Sequence, residues 1–418
     1  MVDIKQVYAT LKIDDGQVQI LVAEYFNTRF NVINTYIGEI EGISDYRIID
    51  EEKALEGLNK AIDAVSNKIG ARLEKVVLVL PPFNFKRTSL KVSVIPSSSY
   101  ITKKDVARAI TNSLKTKVDD DLAIINTHIS KYTINGISSR RLPDNEACDE
   151  AILDIDLLCA DKEMAFSYVE LLSKAKLEIL DLCLSNYAIS KESVSLENSI
   201  GQTIILLDIG NNATYMSLLS KAKLLSTEII YEGLNKMTDL VCDKYHLPSN
   251  IVPRLIKYNV DFDSNYPLDA VYAWNGDDSS KSISTKELTD FLTSEIDAYV
   301  DRVTLMCKPI IQKGASFLLS GEGSDMKALV YKFKEKTNCE VKAYYPDAIG
   351  VRNSNLCAVY GALFVYKEKA NLNEISVNAV NMVEYDKTVN QIEVDVEGES
   401  ITSKIKKLFE TYKDREDI

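Results

Sequence analysis

Residues 203–219, TIILLDIGNNATYMSLL, run through β-formers, turn at the seven residues from Asp208 to Thr214, and leave through β-formers again. An Asn- and Gly-rich break between two apolar runs is an ordinary hairpin turn, with Asp208 capping it. The same spacing also suits a phosphate cradle, in which turn N–H groups point at an anion and the carboxylate orients a metal-bound water. The rest of the chain decides between them.

A second hairpin of the same kind opens the chain. VYATLKIDDGQVQILVAE, residues 7–24, gives two strands about an Asp-Asp-Gly turn, and FNVINTYIGEI a third. EEKALEGLNKAIDAVSNKIG carries apolar residues at helical spacing and stops at Gly70, and KVVLVLPP is a short buried strand. From Gly201 onward the order returns: hairpin strands, a helix, the strand and Gly-rich turn of ASFLLSGEGS, a further helix, the strand CEVKAYYP and the helix NLCAVYGALFVYKEK. This duplication predicts two like α/β halves. An α+β block over about 84–165 interrupts the first half, which occupies 1–83 and 166–200. The second spans 201–370. Residues 371–400 carry seven acids against one lysine without helical periodicity and read as a linker. Residues 401–418 return to helical spacing.

Composition narrows the function. At 418 residues and 27% charged, the chain is an ordinary soluble protein of several subdomains. A net charge of −13 opposes nucleic-acid binding, which needs a basic surface. Seven scattered cysteines without a C-x-x-C, and two histidines, point to a reducing cytoplasm and to neither disulfides nor a zinc site. The first residues lack a secretion signal, and no apolar run is long enough to span a bilayer.

LLDIGNNAT (206–214), IIYEGLNKMTDLVCDKYHLP (229–248) and FLLSGEGSDMKAL (317–329) resemble the second phosphate motif, the Gly and Thr-Asp segment and the adenosine motif of actin-like ATPases. The inserted block, with ITKKDVARAI (101–110) and the stretch 129–158, resembles the insertion of FtsA, the bacterial division protein. The resemblance covers essentially the whole chain. It implies an actin-like ATPase fold, with duplicated ribonuclease-H-like halves around a nucleotide cleft. It also implies ATP and Mg²⁺ as ligands, self-assembly into filaments, and tethering of the tubulin-like protein FtsZ to the inner face of the cytoplasmic membrane at the division site.

Carried over by position, Asp208 would hold the metal through water. Gly210, Asn211, Asn212 and Thr214 would meet the phosphates, Gly233 would lie near the ribose, and Gly321 and Gly323 would let the backbone approach the base. The first phosphate loop departs from the family pattern. Lys12 stands at the metal-side aspartate, Asp14 and Asp15 follow, and Gly16 comes two places late. Glu322 replaces a glycine of the adenosine motif. The site therefore promises slow hydrolysis at most.

The FtsZ tail, acidic with apolar anchors, would dock on the outer subdomain, residues 234–313, against Arg254, Lys257, Arg302 and Lys308. In the terminal segment, Ile401, Ile405, Leu408, Phe409 and Tyr412 fall on one helical stripe flanked by lysines, a weak anchor for an anionic membrane surface. Two other readings of the same fold stay open: a scaffold of another assembly, pilus-type for instance, and a small-molecule kinase.

Overall fold

The computed structural model describes residues 5–14, 16–142, 145–262, 270–275 and 280–397. In the first half, β1 (Gln6–Asp14), β2 (Gln17–Phe26) and β3 (Arg29–Glu39) form an antiparallel meander. A small ribbon, β4 (Ile43–Ser44) and β5 (Arg47–Ile48), leads into helix α1 (Glu51–Ile69) and strand β6 (Lys75–Leu80), which pairs parallel with β1. Gly70 ends α1 in the left-handed conformation, as the sequence predicts, and the Asp50 side chain caps its start.

The insertion follows: β7 (Lys86–Val94), α2 (Lys103–Ser113), β8 (Leu122–Ile134), β9 (Ile137–Ser139) and β10 (Ala151–Asp161). Its four strands make a separate sheet in the order β7-β10-β8-β9. Thr102 and Asp105 form a reciprocal capping box at the start of α2. The chain then returns through α3 (Lys162–Lys174), β11 (Glu178–Leu184), α4 (Ser185–Glu192) and the short α5 (Ser195–Asn198).

The second half consists of β12 (Thr203–Ile209), β13 (Thr214–Ser220), β14 (Lys223–Ile230), α6 (Leu234–Tyr245), α7 (Val252–Asn259), β15 (Ala270–Asn275), β16 (Ser280–Ser284), α8 (Thr285–Ile311), β17 (Ala315–Ser320), α9 (Lys327–Thr337), β18 (Val341–Ala343) and α10 (Cys357–Leu372). The two main sheets have orders β3-β2-β1-β6-β11 and β14-β13-β12-β17-β18. Each is an antiparallel meander continued by two parallel strands, so the duplication read in the sequence is one of topology. Helices α4 and α10 cross behind the sheets. Ile204, Leu206, Tyr215 and Leu219 of the second sheet join the core built around β1, β6 and α10, so the halves share apolar interior.

Residues 371–397 are not a free linker. Ala379 N–H donates to Val7 O at 2.8 Å, and Ala379 O accepts from Glu74 and Lys75. Residues Met382–Glu397 form α11. Met382, Tyr385 and Val389 pack on the first core. These three apolar positions are helically spaced, but the acids between them make the stripe too thin to stand out without its partner surface. The predicted tail stripe, Ile401 to Tyr412, lies outside the described residues.

The insertion also touches the second half, through His128 of β8. Its Nε2–H donates to Ala222 O at 2.9 Å, since a carbonyl can only accept, which leaves Nδ1 to accept from Tyr187 Oη at 3.2 Å. Burial, and then the Lys191 charge, lower its pKa from 6.5 to about 4. The folded protein therefore keeps His128 neutral at pH values where the unfolded chain binds a proton. His128's own contribution should be complete above about pH 6.5 and be lost, by roughly 3 kcal/mol, as the pH drops to about 4, while Glu192, raised to about 7 by burial, acts in the opposite sense over the same range. Urea titrations from pH 7 to about pH 4.5 should therefore show the His128 term as a difference, wild type losing stability relative to His128→Phe as the pH falls.

Candidate functional site

The two hairpins face each other across the cleft with loops of different length. Pairing of β1 with β2 runs to Asp14 opposite Gln17, so only residues 15 and 16 connect them. Gly16 sits at φ +73°, as a two-residue hairpin turn requires. Pairing of β12 with β13 ends at Ile209 opposite Thr214, which leaves four connecting residues closed by Gly210 N–H to Ala213 O at 2.9 Å.

This longer loop is braced by α6. Leu234 N–H donates to Gly210 O at 3.1 Å and Asn235 N–H to Asn211 O at 2.8 Å, while the Asn235 side chain reaches Asn212 Oδ1 at 2.7 Å. A Cβ on Gly233 would lie 2.3 Å from Gly210 O, so this close approach demands glycine. Gly321 has φ +75° and would bring a Cβ to 2.6 Å from Asp208 Oδ1. Gly323 packs instead on the side chain of Ile209.

Between the loops lies a cavity of about 30 Å³, lined by Lys12, Asp14, Gln19, Asp208, Tyr215 and Glu322 among others. Lys12 Nζ is 3.3 Å from Asp14 Oδ2, with both side chains more than nine-tenths buried. The Tyr215 hydroxyl, from the other half, donates to both Asp14 oxygens at 3.0 Å. Burial, followed by the Asp14 charge, pushes the phenol pKa far up, so it stays a donor. Gln19 Nε2 donates to Asn355 Oδ1 at 3.0 Å, and Asn355 Nδ2 donates to Glu322 Oε1 at 2.7 Å and Gln17 Oε1 at 3.3 Å.

Glu322 also walls an adjoining hollow of about 300 Å³, lined by Thr238, Asn250, Arg254, Lys257, Tyr258 and Met326. The first hollow has room for one or two waters, roughly, and the second for a nucleoside-sized group. Lys257 pairs with Asp325 of the segment after β17. No group of His, Cys, Asp or Glu among the described residues forms a ready-made metal site.

No protein-family model matches the chain. It is 21% identical to the cell division protein FtsA of Enterococcus faecalis over a 436-residue alignment, covering 96% of this chain and 98% of the relative. FtsA of Streptococcus pneumoniae is also 21% identical, across 83% of this chain and 77% of that protein. The chain is a divergent relative of FtsA. Its fold overlays that of the PilM–PilN type IV pilus biogenesis complex with a TM-score of 0.57 at 11% identity, covering 86% of this chain and 98% of the other. MreB 5 of Spiroplasma citri bound to AMPPNP gives 0.52 at 12% identity, covering 88% and 98%. The fold is that of the actin-like ATPases.

Against the expectations drawn from FtsA, the cleft residues divide. Lys12, Asp208, Gly210, Asn211 and Gly321 line the small cavity between the hairpins. Gly16 lies at the shortened turn, and Asn212 is held by Asn235. Thr214 does not face a phosphate. It is fully buried, donating to Glu232 O at 2.9 Å and sharing a 2.7 Å hydrogen bond with Tyr299 Oη.

The proposed peptide cations also separate. Arg254 and Lys257 belong to the larger hollow beyond Glu322. Arg302 is held by Glu232 and Glu295, and Lys236 joins them 2.7 Å from Glu295. Burial alone would raise the Glu295 pKa, yet Lys236 and Arg302 hold it below the usual range. Lys308 is exposed on the outer side of α8. Tyr215, Gln19 and Asn355 are cleft residues that sequence reading missed. None sits in a motif, and only the three-dimensional facing of the hairpins brings them together.

Thr214→Val therefore separates wall from ligand contact. It should cost about 1–3 kcal/mol, because Tyr299 Oη and Glu232 O lose a partner, and leave nucleotide affinity unchanged. Chemical denaturation and nucleotide titration of the same variant check both halves.

Proposed function

We propose that the protein is an FtsA-type division adaptor. It binds ATP with Mg²⁺ in the cleft, assembles with copies of itself, and tethers FtsZ to the inner face of the cytoplasmic membrane. The observation that carries this reading is similarity to FtsA along nearly the whole chain, insertion included. The adenosine-end hollow supports nucleotide binding. Arg254 stands at its rim, and Lys257 is held in place by Asp325. Magnesium, when bound with the phosphates, would supply charge neutralisation; Asp208 would orient its waters.

The altered first loop supports slow hydrolysis. A two-residue turn offers few free N–H groups, and Asp14 opposes an incoming anion. The same features disfavour the kinase reading, which needs a positioned base and intact phosphate loops. Mg·ATP should raise the melting temperature while turnover stays below about one per minute. Calorimetric titration and a phosphate-release assay check this, with Asp208→Ala as control. Turnover of several per second lost in that variant would defeat it.

On the outer subdomain, the exposed face of α8 suits an acidic tail with apolar anchors. Leu305, Lys308 and Pro309 fall on one side of the helix, and Leu305 is 70% exposed. The 401–418 stripe suits membrane contact, made firm by many tails on one filament. Flotation with anionic vesicles tests the adaptor as a whole. The full chain should carry FtsZ into the vesicle layer. A chain ending at Ser400 should leave both proteins behind, and Leu305→Glu/Lys308→Glu should float alone. FtsZ recruited equally by all three would refute the reading.

A further inference from the structure

We infer that the cleft is held closed by the protein's own side chains, so that closure does not depend on the terminal phosphate of a nucleotide. This rests on the reading of the cleft as a nucleotide site and adds how that site is regulated. Two struts cross from half to half. In one, Tyr215 of β13 donates to both oxygens of Asp14 at the end of β1, and Lys12 neutralises that carboxylate from 3.3 Å. In the other, Asn355 before α10 joins Gln17 and Gln19 of β2 to Glu322 after β17. Both cross the space between the two phosphate hairpins, which is reduced to about 30 Å³.

The chemistry of the struts matches a substitution of protein for ligand. A terminal phosphate between two hairpins would present anionic oxygens to donors on both sides. Here Asp14 presents the anionic oxygens, Tyr215 is the donor from the far side, and Lys12 is the counter-charge from the near side. Tyr215 is also fixed as a strut. Its ring lies 6.3 Å from that of Tyr46 in the first half, and Tyr46 stacks on Phe83 at 4.8 Å. The 300 Å³ hollow stays open beyond Glu322. The cleft therefore holds the adenosine end of a ligand and does not read whether two or three phosphates follow.

Hydrogen–deuterium exchange of the full chain tests this, in wild type, Tyr215→Phe and Asn355→Ala, each alone and with Mg·ADP or Mg·ATP. Wild type without ligand should exchange slowly over 8–14 and 208–216, and ADP and ATP should alter these segments alike. Tyr215→Phe should exchange at least tenfold faster at both segments, with the inserted sheet unchanged, and ATP should now protect more than ADP. The inference is overturned if ligand-free wild type exchanges fast at both segments and ATP alone slows it. It is equally overturned if neither variant changes the cleft. If no nucleotide affects any protein but Tyr215→Phe still loosens the cleft, the nucleotide reading fails and the struts stand.

Discussion

The structure depends on how closely two helices cross behind the cleft. A Cβ on Gly361 of α10 would lie 2.3 Å from Ala188 O of α4, so glycine lets the two backbones touch. The Thr10 hydroxyl adds a 2.8 Å hydrogen bond from β1 to Val359 O on α10. With the helices fixed, each sheet has one position, and the hairpins at the ends of β1 and β12 face each other. Cleft width is then set by packing, which resists small displacements because protein interiors are close-packed. A larger side chain at Gly361 would have to part the helices and, with them, the halves.

Much of this was legible in the chain because it is local. The β1 and β12 hairpins and the stop at Gly70 each rest on a few neighbouring residues whose turn or cap chemistry is specific. The duplication needed only element order. What escaped was decided by distant partners. The helix from Met382 shows three apolar positions whose meaning comes from the surface they meet. Arg302 reads as a free cation until Glu232, seventy residues away, is placed beside it. Thr214 reads as a phosphate contact until Tyr299 closes over it. Charges and hydroxyls are cheap to write into a sequence, and their roles follow from what lies opposite.

The cleft shows the same contrast within one site. The second hairpin keeps a four-residue loop because α6 supplies two N–H groups that hold its carbonyls, and this bracing is encoded by glycine at 233. The first hairpin closes in two residues, and Ile40 N–H, from the chain leaving β3, holds Gly16 O at 2.9 Å. With two connecting residues the loop has few N–H groups to offer, and it is side chains, Lys12, Asp14, Gln17 and Gln19, that line the cavity on this side. Side-chain recognition is more selective about charge, and the first half offers one lysine and one carboxylate where a backbone cradle would be neutral.

That lysine explains why a self-bridged cleft is physically consistent. A buried ammonium is costly unless an anion stands beside it, and removing one partner of a buried ion pair costs about 3–5 kcal/mol. Were a bound phosphate the only counter-charge to Lys12, every nucleotide departure would strand the lysine in a cavity with room for little water. Asp14 supplies the anion permanently, and Tyr215 satisfies the carboxylate from across the cleft. The closed arrangement then survives exchange of the ligand. In the tether proposed above this would be the useful property, since a clock driven by hydrolysis would cut short the time for which a partner is held.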